Sequence, residues 1–138
     1  MKKITFILSL FALYVNIVFA NPIDPEKALE TANNFWTSQI KKSETLILKS
    51  PQKMAKAGSR IHIQENNPQY YICTPENSEG FIIVSGDDAL TPIIGYSTEM
   101  TNENNEMPAV LIEWLNEYSE YVNAVRKGEA EPVKKSTR

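Results

Sequence analysis

Cys73 and His62 are the single cysteine and the single histidine of the chain, and a thiol with an imidazole is the smallest set that makes a strong nucleophile. Such a pair needs hydrogen-bond reach between sulfur and ring nitrogen, and donors aimed at an oxyanion. The neighbours of both residues point elsewhere. Cys73 follows Tyr70-Tyr71-Ile72 in an aromatic run, where a small buried side chain is the ordinary expectation. His62 stands between Ile61 and Ile63, so alternation turns it towards solvent. Asp87-Asp88 could hold a cation or act as a carboxylate dyad. After Ser85-Gly86, with no third carboxylate beside them, they read instead as a polar hairpin corner whose side chains cap backbone groups. One Cys and one His cannot complete a zinc site, and a lone cysteine cannot staple the fold. There is no phosphate-cradling glycine loop and no serine-nucleophile elbow. The residues by themselves show no active site, and neither metal nor cofactor is expected.

The elements that position these residues begin after a leader-like start. Lys2 and Lys3 precede an apolar run from Ile4 to Val18, closed by Phe19-Ala20. That is the layout of a secretory signal peptide, with cleavage expected after Ala20, and the run is short for a membrane span. Its removal leaves 118 of the 138 residues, enough for one domain. The remaining 12 basic and 17 acidic side chains give a formal net charge of −5, the wrong sign for a duplex nucleic-acid binder. A protein that is secreted or periplasmic, and no longer membrane-bound once cleaved, is the expectation.

Asp24-Pro25 is an N-cap followed by proline at the first helical position, and Ala28, Leu29, Ala32, Phe35, Trp36 and Ile40 make one helical stripe to about Lys41. Leu46-Ile47-Leu48 suits a short strand. A lysine-bearing connector follows, and Arg60–Gln64 then alternates with period two. Tyr70–Thr74, the apolar run Phe81–Ser85 and Pro92–Ser97 read as further strands joined by short turns. Val110, Leu111, Trp114, Leu115, Tyr118, Val122 and Val125 define a closing helix from Pro108 to Lys127, with Gly128 placed to stop it. The fold class is α+β: an antiparallel sheet of three to five strands, with the helices Asp24–Lys41 and Pro108–Lys127 covering one face. Trp36, Phe35, Trp114 and Leu115 should meet the sheet. Residues 21–127 form the domain, and 128–138 read as a disordered polar tail.

Gly80-Phe81-Ile82-Ile83-Val84-Ser85-Gly86-Asp87-Asp88, then Pro92-Ile93-Ile94-Gly95-Tyr96-Ser97, resembles the prosegment of streptopain-type cysteine peptidases and the related Spi inhibitors. Tyr70-Tyr71-Ile72 and Trp114-Leu115-Asn116-Glu117-Tyr118 agree with the flanking strand and closing helix, so the resemblance runs from about Asp24 to Lys127. It implies a protein inhibitor rather than an enzyme, with a streptopain-like cysteine peptidase as partner and a segment laid over the substrate cleft. Arg138 comes before any catalytic domain, which fits a prosegment acting in trans. A structural or adhesion-type module of the same fold is the other reading. The stretch Glu99–Pro108 is long and polar for a connector in a compact domain, and its asparagines offer both donors and acceptors. Asn102, Asn104, Asn105 and Met107 are therefore the expected peptidase-contacting residues.

Overall fold

The computed structural model describes residues 21–55, 58–100 and 106–133. The first helix, α1 (Pro25–Phe35), starts where expected: the Asp24 carboxylate accepts from the Lys27 amide at 2.8 Å, and Pro25 occupies the first turn. It runs on as one wider π turn, Trp36–Ile40, and stops at Lys41 with φ 59°. β1 (Leu46–Lys49) and the single turn α2 (Pro51–Met54) follow. Then come β2 (Tyr70–Pro75), β3 (Phe81–Ser85), β4 (Ile93–Ser97) and the long α3 (Ala109–Arg126). The sheet order is β1-β2-β3-β4, antiparallel throughout, as a meander of short connections requires.

Two separate cores lie on the two faces of this sheet. Leu46, Tyr71, Cys73, Ile82 and Val84 pack with Ala28, Ala32 and Trp36 of the α1 segment. Tyr70, Ile72 and Ile83, one residue out of phase, pack with Ile112 and Leu115 of α3 and with Met54 and Met107. The two helices therefore cover opposite faces, not one as expected. The physical reason is visible in the strands. β2 is buried at all six positions and β3 at four of five, and strands apolar on both sides must be covered twice.

One expected element changes character. Arg60–Gln64 keeps its alternation, with Ile61 and Ile63 packed on the α3 side, but it pairs with no strand among the described residues. The Asn116 side chain takes the place of a strand: its oxygen accepts from the His62 amide and its nitrogen donates to the Arg60 carbonyl, each at 2.8 Å. The segment after α3 is described as far as Val133. After Gly128 (φ 75°), Tyr121 Oη donates to the Glu131 carbonyl at 3.2 Å and accepts from the Val133 amide at 2.8 Å. Ala130, packed on the cluster of Leu90, Val122 and Val125, and the amides of Glu129 and Ala130, which donate to the Ala124 carbonyl, hold this segment together with the Tyr121 hydroxyl. Residues 134–138 lie outside the described part.

The corner after β3 ties the molecule together. A side chain at Gly86 would collide with the Pro68 carbonyl, and the Gly86 amide donates to Gln69 O at 2.8 Å. Asn21–Ile23 pairs with Gly86–Asp88: Ile23 N donates to Gly86 O at 2.9 Å and Asp88 N to Asn21 O at 3.0 Å. Asp87 is 2% exposed, and its Oδ2 accepts from Arg126 Nε of α3 at 2.7 Å.

Candidate functional site

Cys73 lies in the core, on the face of the sheet covered by α1. The thiol is fully buried beneath α1, and desolvation pushes its pKa up to about 12, so the nucleophilic thiolate is suppressed at neutral pH. His62 is exposed and belongs to the segment that runs along α3, across the sheet from Cys73. The two do not meet. Asp87 and Asp88 form the structural corner that their sequence setting suggested. Asp87 is neutralised by Arg126, whose two terminal nitrogens donate to the carbonyls of Asn67 and Pro68 at 2.7 and 2.9 Å. Asp88 is exposed, and its Oδ1 accepts from the Asn21 nitrogen at 2.9 Å. Among the described residues, no group of three or more His, Cys, Asp or Glu could hold a metal ion, and no helix is long and apolar enough to cross a membrane.

The connector between β4 and α3 is anchored at both ends. On the strand side, Ser97 Oγ donates to the Glu99 carbonyl at 2.7 Å and accepts from the Glu99 amide at 3.2 Å, making a tight serine turn. On the helix side, Met107 bridges Ala55 in parallel, and its amide donates to the Met54 carbonyl at 2.6 Å. Met107 is only 1% exposed, within the core formed by Ile112 and Leu115. Of the four residues expected to contact a peptidase, this one is thus placed inside the core. A flexible thioether beside a half-open core is drawn in by the apolar area it buries, and its role is to pin the returning end of the loop. Asn102, Asn104 and Asn105 lie outside the described residues.

The surface beside this loop carries what the sequence reading missed. Trp114 was expected in the core, yet it is 45% exposed, because the inward positions of α3 are Ile112, Leu115, Ser119, Val122 and Val125. Its indole stacks on Tyr118, with ring centroids 5.7 Å apart and planes at 18°. Tyr118 Oη in turn meets Ser85 Oγ at 3.0 Å. On the other side of β4, Tyr96 is 51% exposed and tilts against Phe35 at 5.1 Å. Tyr118 and Tyr96 each carry a hydroxyl that favours water at one end of an apolar ring, which suits them to the border of a core. The arrangement offers surfaces for a partner and no reactive group.

Comparison with known proteins agrees with that chemistry. The family model of the Spi protease inhibitors matches residues 20–122. The thiol protease/hemagglutinin PrtT of Porphyromonas gingivalis is 30% identical over 133 residues. That match takes in 96% of this chain and 15% of PrtT, so the chain spans a small part of that relative's length. No solved structure matches.

Proposed function

The chain belongs to the Spi protease inhibitor family, and from that premise we propose that it is an exported inhibitor of a streptopain-like cysteine peptidase. The folded body docks on the enzyme, and the loop with Asn102, Asn104 and Asn105 enters the substrate cleft. The observation that carries this reading is the extent of the family match, which spans α1, the whole sheet and most of α3. The likeness to a segment of a thiol protease favours a peptidase of that kind as the partner, and the burial of Cys73 supports a role other than catalysis. A loop fixed at Ser97 and Met107 loses less entropy on entering a cleft than a free tail would. Removal of a leader ending at Ala20 would deliver the protein to the compartment of a secreted peptidase.

The experiment is a titration of active streptopain and active PrtT with the chain starting at Asn21. Saturable loss of peptidase activity with one-to-one stoichiometry is the expected result. Absence of inhibition of both enzymes at micromolar inhibitor would refute the reading. Replacing residues 101–105 with a Gly/Ser linker of equal length, and leaving Met107 in place, should abolish inhibition while the melting temperature stays unchanged.

A further inference from the structure

Exposed apolar side chains gather at one edge of the molecule. Among the described residues, Leu48, Tyr96, Val110, Trp114 and Val133 are the large apolar residues left exposed. Leu48 stands apart on β1, at the far end of the sheet. Trp114 and Val133 line one groove with Ile94 and Tyr118, along the β4 edge, and no described strand pairs with the outer side of β4. Val110, 73% exposed, stands one helical turn before Trp114 on the same side of α3.

This band is held in place. The Tyr118–Ser85 hydrogen bond fixes the ring on which Trp114 stacks, and the Tyr121 hydroxyl fixes the backbone of Val133 at the groove. Holding apolar side chains rigid in water contributes nothing to folding, whereas it lowers the entropy cost of covering them with a partner. A rigid, half-exposed tryptophan beside an open strand edge is also the usual anchor of a protein interface. The band leads through Val110 to Pro108, at the point where the chain enters α3.

Charge selects the occupant. Glu113 and Glu117 are exposed one turn from Val110 and Trp114, and exposed Glu129 and Glu131 flank the groove at its Val133 end. A second copy seated here by a two-fold axis would bring these acidic rims together. We propose that the band of Val110, Trp114, Ile94 and Val133 is the seat of the peptidase body, which meets it with an apolar surface bordered by Lys or Arg. This rests on the inhibitor reading: the loop closes the cleft, and the band supplies most of the binding.

The test compares three proteins against active streptopain and active PrtT. They are the wild type, the double variant V110E/W114E, and L48E on the opposite edge as control. All substituted side chains are exposed, and circular dichroism verifies folding. V110E/W114E should raise the inhibition constant at least about 30-fold, the loss expected of one interface hot spot, with L48E within about 3-fold of wild type. The charge reversal E113K/E117K, which leaves the apolar band intact, should slow association several-fold at low salt and little at high salt. The chain with residues 101–105 replaced should still bind both enzymes in calorimetry without inhibiting them. Unchanged inhibition by V110E/W114E overturns the assignment while leaving the inhibitor reading intact. Failure of the wild type to inhibit either enzyme removes the inhibitor reading itself. A wild-type dimer in solution that W114E dissociates would give the band to a second copy and also overturn the proposal.

Discussion

At the residue scale the decisive contrasts are between residues of the same type. Trp36 is fully buried, with its Nε1 donating to Glu44 Oε2 at 2.9 Å, whereas Trp114 stands half in water. Trp36→Ala is expected to cost about 3–5 kcal/mol in urea unfolding, because it leaves a large cavity under α1. Trp114→Ala is expected to cost under about 1 kcal/mol in the same measurement. Burial raises the Cys73 thiol from an ordinary 9.0 and the Tyr70 phenol from 10.0, each to about 12. In both cases the folded pKa exceeds the unfolded one, so unfolding releases protons above pH 9 and stability falls as pH rises. The expected outcome is a urea midpoint that is steady up to about pH 8.5 and declines between about pH 9 and 12. In Cys73→Ala the part of that decline belonging to the thiol disappears. Native Cys73 should also resist alkylation at pH 8 and react fully in urea.

At the element scale, Arg60–Gln64 shows how period-two alternation can be satisfied without a ladder. The alternation places Ile61 and Ile63 inward, and the backbone groups that a strand would pair go to an amide side chain on α3. Asn116→Ala is expected to cost about 1–2 kcal/mol, since it removes two hydrogen bonds whose backbone partners lie near the surface. Its specific mark is faster hydrogen exchange at the His62 amide, with protection of the β2 and β3 amides unchanged. Equal acceleration throughout the sheet would instead show that Asn116 acts on global stability.

At the scale of the whole molecule, Arg126 joins the end of α3 to the corner after β3 and to the turn before β2. It does so through Asp87 and the carbonyls of Asn67 and Pro68. Removing one partner of a buried ion pair leaves the other charge uncompensated, so Asp87→Ala is expected to destabilise by about 3–5 kcal/mol in thermal or urea unfolding. Asp88→Ala, one residue on and exposed, should cost under about 1 kcal/mol.

Local patterning in the sequence determined the two long helices, the four strands of the sheet, the corner at Gly86–Asp88 and the family likeness. Asp24-Pro25, the period of α3 and the run Phe81–Val84 are signals carried by residues adjacent in the chain. Only the tertiary structure decided that the helices take opposite faces, that Met107 is buried and Trp114 is not, and that Asn116 stands in for a strand. Each of these depends on which surfaces meet across 50 or so residues of chain, as in the 54-residue separation between His62 and Asn116. Helical period places Trp114 on the border of an apolar stripe. Whether that border faces the sheet or water depends on the direction from which α3 approaches the sheet, and no local pattern encodes it.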